Sequence, residues 1–183
     1  MMLHAIFALV AAIPLAAALP AKPAYRLPMA MLNVLSESDG CVLPVGFVVQ
    51  NFQIWTPAPN NKQSINIDFE LIDDSTGIST PCQFNETSTS SGPSGLTARY
   101  ACDNPTVQFI WEDNVLTVIE KACPGSSSAM GFEASGSVKP PLTCVPTSSN
   151  TTFGAGSACF SSEYGIPQNY TSLQPSPQDA QQY

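Results

Sequence analysis

Apolar and polar residues begin to alternate at Phe47. The clearest run is Ser64 to Asp73, where Ile65, Ile67, Phe69 and Leu71 interleave with Asn66, Asp68 and Glu70. That period of two predicts a half-buried antiparallel strand. In Phe47 to Trp55, Phe47 and Val49 share one parity and Phe52 and Ile54 the other. A change of parity inside one apolar run predicts a bulge near Gln50 and Asn51. Val107, Phe109 and Trp111 alternate, Glu112-Asp113-Asn114 reads as a hairpin turn, and Val115 to Lys121 returns. Thr97 to Cys102 reads as a short strand, and Phe132, Ala134, Gly136 and Val138 as another, stopped by Pro140-Pro141. Asp73 to Gly77 is a turn and Glu86 to Gly95 a loop. No segment has the period of an amphipathic helix. The expected fold is all-β: an antiparallel β-barrel or sandwich of about six to seven strands, disulfide-stapled, with a disordered C-terminal tail.

The ends of the chain differ from this middle. Ala5 to Ala18 is an unbroken apolar run rich in Ala and Leu. It is shorter than the ~20 residues a membrane span needs, and Ala16-Ala17-Ala18 offers a cleavage site. Residues 1–18 are therefore expected to be a signal peptide, and residues 19–40 an N-terminal lead without clear period. The β domain is expected over 41–144. Residues 145–183 are rich in Ser, Thr, Pro and Gln and read as a mobile tail tied at most through Cys159. A secreted, extracellular protein is the expectation. Three acceptor tripeptides agree with it: Asn85-Glu-Thr, Asn150-Thr-Thr and Asn169-Tyr-Thr. Asn104 is followed by Pro105 and is not an acceptor.

Six cysteines follow the leader: Cys41, Cys82, Cys102, Cys123, Cys144 and Cys159. An even number in an exported chain reads as disulfides, and the absence of any CxxC pair argues against zinc. Six cysteines allow 15 pairings. Local pairing is favoured, Cys82 with Cys102 and Cys123 with Cys144, each closing a loop worth about 3 kcal/mol. Cys41 and Cys159 are left to pair together or to bridge to a second chain.

Composition narrows the chemistry. Net charge is −8 over 183 residues, which excludes the basic footprint that nucleic acid or an anionic membrane requires. The one histidine, His4, lies in the leader. A mature chain without imidazole has no Ser-His-Asp triad, no Cys-His nucleophile and no histidine metal site. Asp74-Ser75-Thr76-Gly77 has one residue too many for an aspartic-protease turn and no second copy to supply the partner carboxylate. Asp68 and Glu70 share the polar parity of their strand, and Glu112 and Asp113 belong to a hairpin turn. Both pairs read as solvated carboxylates rather than a glycosidase pair. Phe47, Phe69, Phe109, Trp111 and Phe132 read as core rather than as a cavity lining. Trp55, beside prolines at a strand end, is the candidate for an exposed contact. No catalytic, metal or cofactor site is expected.

The order of a lone Cys41, Phe47-Val-Val-Gln-Asn-Phe52, Ile65-Asn-Ile-Asp-Phe69, Cys82, Tyr100-Ala-Cys102, Val107-Gln-Phe-Ile-Trp111, Leu116-Thr-Val118, Cys123 and Cys144 resembles the fungal Alternaria major-allergen-like family of small secreted proteins. The resemblance covers residues 41–144. It implies an antiparallel β-barrel, the pairs Cys82–Cys102 and Cys123–Cys144, and Cys41 at the position that joins two subunits in a homodimer. It also implies a non-enzymatic allergen or effector role, with a host or cell-surface protein as partner and a small aromatic ligand as a second one. The rival readings are a carbohydrate-active enzyme using Asp68, Glu70, Glu112 or Asp113, and a structural glycosylated cell-wall protein.

Overall fold

A computed structural model describes residues 22–37, 41–92, 95–124 and 131–177. The expected signal peptide lies outside the described residues. One short helix, α1 (Met29–Glu37), precedes eleven strands: β1 (Gly46–Pro57), β2 (Asn66–Asp73), β3 (Ile78–Phe84), β4 (Tyr100–Ala101), β5 (Val107–Glu112), β6 (Val115–Ala122), β7 (Phe132–Val138), β8 (Leu142–Thr147), β9 (Gly156–Ser161), β10 (Gly165–Asn169) and β11 (Ser172–Pro175). They form two antiparallel sheets. One runs β3-β2-β1-β9-β8, with β10 also on β1, and the other β11-β7-β6-β5-β4. Neither sheet closes on itself, so the architecture is a sandwich and not a barrel.

The bulge falls where the parity change places it. Gln50 faces Glu70 and Gln53 faces Asp68, so β1 holds one extra residue against β2, and Asn51 has φ 54°. Asparagine tolerates that left-handed conformation better than most residues. The bulge keeps Phe47, Val49, Phe52 and Ile54 all buried, and it divides the far edge of β1. Before it, Gly46 to Gln50 pair with β10; after it, Gln53 to Pro57 pair with β9. The β5–β6 hairpin turns through Asp113 and Asn114, with φ of 52° and 61°. Two successive positive φ values make a type I′ turn, whose twist matches the strands it joins.

Between the sheets lies an aromatic chain. Phe52 packs on Trp111 at 5.1 Å and on Phe69 at 5.8 Å, Phe69 meets Phe109 edge-on at 5.1 Å, and Tyr100 links Phe109 to Phe84. The expected core aromatics are thus core. Fully burying each ring contributes roughly 1.5–3 kcal/mol.

Three expectations are corrected. The lead is not formless: α1 turns Met31 and Val34 onto the core, and the Tyr25 hydroxyl donates to the Pro44 carbonyl. Nor are residues 145–177 a disordered tail. They supply β9, β10 and β11 and half of β8, and they bury Ile166, Tyr170 and Leu173. Single apolar anchors among Ser, Thr and Gln leave no periodic signal, because strand pairing and not a hydrophobic face holds these segments. Lastly, Cys123 does not pair with Cys144, nor Cys41 with Cys159 or a second chain. The bonds are Cys41–Cys123, Cys82–Cys102 and Cys144–Cys159, and no cysteine is free. Cys144 lies opposite Cys159 in the β8–β9 ladder, while Cys123 lies just past the end of β6 in the other sheet. Cys82–Cys102 is the local pair expected from the sequence, whereas Cys144 takes its partner from sheet register.

Candidate functional site

The carboxylates singled out in the sequence do not converge. Asp68 and Glu70 lie on the outer face of β2, where Glu70 accepts from Ser79 Oγ at 2.8 Å. Glu112 and Asp113 are exposed at the β5–β6 turn, in the other sheet.

A different pair is brought together. Asp73 continues the buried parity of Ile67, Phe69 and Leu71, and Glu120 that of Leu116 and Val118. Both side chains are 0% exposed. Asp73 Oδ1 accepts from the Ser75 amide, the Ser75 hydroxyl and the Thr76 amide, so it organises the turn after β2. Glu120 Oε2 accepts from the Tyr170 hydroxyl at 2.7 Å. Tyr170 sits where the chain crosses from β10 in one sheet to β11 in the other, and its amide donates to the Val45 carbonyl. Glu120 Oε1, Asp73 Oδ2 and Thr76 Oγ1 find no other partner among the described residues, and Glu120 lies within hydrogen-bonding reach of both Asp73 and Thr76. Burial raises the Glu120 carboxyl to about 7, helped by the Asp73 charge and opposed by the Tyr170 hydrogen bond. Burial likewise pushes the Tyr25 hydroxyl up to about 12 and holds Tyr170 well above the usual phenol range. A protonated Glu120 is the economical state, since a second charge at this dry site is costly. Sealed from solvent, this pair reads as an internal brace between the sheets.

What faces outward is the region first read as a tail. Trp55 is not an exposed contact: it is 5% exposed, and its indole N–H donates to Thr147 Oγ1 at 3.1 Å. Phe153, in the β8–β9 loop, stacks on it at 5.4 Å. Gly156 on β9 lets the indole lie this close, since a Cβ there would meet Trp55 Cζ2 at 2.7 Å and the Thr56 carbonyl. Apolar side chains in this loop and on the strands it joins are exposed. Phe153 is 41% exposed, Phe160 43%, Val145 49% and Tyr164 75%. Val145 faces Ala158 and Phe160 faces Thr143, so Val145 and Phe160 are diagonal neighbours on the outer face.

Of the acceptor asparagines, Asn85 follows β3 with Oδ1 accepting from the Thr87 amide and hydroxyl. Asn150 is exposed in the β8–β9 turn, and Asn169 is exposed at the end of β10. No helix among the described residues is long and apolar enough to cross a membrane.

Fold and surface together define a two-sheet antiparallel sandwich held by three intrachain disulfides. Its likeness among solved structures is to the Alternaria alternata major allergen Alt a 1. One crystal structure of that allergen matches at 14% identity and a TM-score of 0.45, over 72% of this chain and 94% of its own. A second matches at 14% identity and a TM-score of 0.48, over 74% and 92%. No family model matches the chain. No curated protein sequence matches it.

Proposed function

We propose that this chain is an exported, non-catalytic binding protein that engages a host or cell-surface protein through the β8–β9 ribbon. The observation that carries the reading is the concentration of exposed apolar side chains there: Val145 and Phe160 on one face, with Tyr164 in the loop that follows. Neighbouring exposed apolar groups at a sheet margin mark an interaction surface. β8 ends its sheet, and an edge strand offers unpaired backbone groups to a partner. The leader and the disulfides support export. The separation of Asp68 and Glu70 from Glu112 and Asp113, and the burial of Asp73 and Glu120, support a role without hydrolysis.

The test uses the secreted full chain and a Val145→Ser/Tyr164→Ser variant, whose sites are exposed. Both are presented to extracellular host proteins and to intact cell surfaces. Capture by the parent and loss by the variant, with unchanged thermal unfolding, is the expected result. Equal capture by both refutes the assignment of the ribbon.

A further inference from the structure

Two depressions on the outer face of the β3-β2-β1-β9-β8 sheet share a wall. The first, about 190 Å³, is bounded by Trp55, Phe153 and Phe160 and rimmed by Gln53, Asn66 and Asp68. The second, about 380 Å³, lies on the other side of Asn66 and Phe153 and reaches Asn85, Glu86 and Thr87. Together they fall within the ~300–1,000 Å³ typical of small-molecule sites. Sharing Asn66 and Phe153, they form one trough lined by aromatic rings and by amide and carboxylate side chains.

The chemistry of the lining selects a ligand. Phe153 and Phe160 offer partly exposed rings, which pack well against flat, weakly polar faces. Asp68, Asn66 and Gln53 line the first depression, so a carboxylate and two amides are placed there to pair with a ligand. The charged side chains of the trough, Asp68 and Glu86, are both acidic, which disfavours an anion. Carboxylate and amide groups pair well with hydroxyls, and a ring face covers the apolar C–H face that a pyranose presents.

We infer that this trough binds a segment of an uncharged polysaccharide chain, with Phe153 beneath one sugar ring and Asp68 and Asn66 holding its hydroxyls. The site borders the Val145 and Tyr164 surface and shares Phe160 with it, and it is tested at residues outside that surface.

The experiment titrates the secreted chain carrying Trp111→Phe, which leaves Trp55 as the single indole reporter. Asn85→Gln is added so that a glycan on this chain cannot fill the second depression. The probes are laminarihexaose, cellohexaose and chitohexaose, with a hexagalacturonate as the anionic control. A saturable change in Trp55 emission is expected with at least one neutral hexaose, insensitive to salt because the ligand carries no charge. Asp68→Asn and Asn66→Ala, at the surface and outside the core, should each weaken it about tenfold, the worth of one hydrogen bond to a charged or buried-edge group. Phe153→Ala should abolish it. Silence with all three neutral hexaoses at millimolar concentration overturns the inference, as does stronger binding of the hexagalacturonate or full affinity in Asp68→Asn. Protein capture through Val145 and Tyr164 would survive any of those results, so the two readings fail separately.

Discussion

Replacing Glu120 by glutamine removes one titrating group and little else. The amide has the shape of the protonated acid and can still accept the Tyr170 hydroxyl. In the folded protein burial first, and Asp73 second, raise the Glu120 carboxyl from 4.5 to about 7. A group whose folded value is raised stabilises the fold fully below its unfolded value, and that contribution is lost as pH rises through the folded value. At 1.36 kcal/mol per pH unit the gap amounts to about 3 kcal/mol. Glu120 is sealed, so solvent screening takes little from this figure. The loss should run from about pH 4.5 to about pH 7 and then level off. At roughly 2–4 °C per kcal/mol for a chain of this size, Tm of the parent should fall roughly 6–12 °C relative to Glu120→Gln across that window. Groups remote from Glu120 are the same in both proteins and cancel in the difference. The assay is a pair of calorimetric melts, parent and variant, at half-unit steps of pH. A difference that stays flat from acid to neutral pH would refute the proposed state of the pair, and one that grows in the opposite sense would show Glu120 ionised in the native fold.

Other expectations follow from the same geometry. The Cys41→Ser/Cys123→Ser double variant opens a link of sequence separation 82, worth about 4 kcal/mol in the loop-entropy account. Urea unfolding measures that loss, and a non-reduced peptide map should recover Cys41 joined to Cys123 with no disulfide-linked dimer. Gly156→Ala places a methyl against Trp55 and the Thr56 carbonyl. It should cost about 2 kcal/mol by overpacking and shift Trp emission to the red as the indole is pushed toward water. Asn114→Ala should cost about 1 kcal/mol, because Asn114 holds φ 61°, whereas Asn114→Gly should cost nothing in a thermal melt.

The strands with regular alternation were legible because one face of each meets the core. Gln50-Asn51 announced the bulge, and Asp113-Asn114 the hairpin. β3 escaped notice: Ile-Ser-Thr-Pro-Cys-Gln-Phe has little alternation, and Pro81 is tolerated there because β3 is an edge strand. Asp73 and Glu120 were readable in principle, since each extends an apolar parity by one step. A carboxylate on a core parity is the exception, because burying a charge is costly. Trp55 was misjudged for want of its cover, since Phe153 and Thr147 are distant in sequence. Cys82–Cys102, a local pair, was legible from spacing, and the other two bonds were not. Cys144 and Cys159 meet through strand register, and Cys41 reaches Cys123 only after the lead has folded back.

The divided edge of β1 makes the chain's last third indispensable to its first strand. A product cut after Cys144 would retain every strongly alternating segment and look, on paper, like a complete domain. It would also strip β10 and β9 from the two halves of its longest strand and remove the phenol that satisfies Glu120. Bare amides along that margin would seek other chains, so such a fragment should precipitate or polymerise rather than behave as a smaller version of the whole.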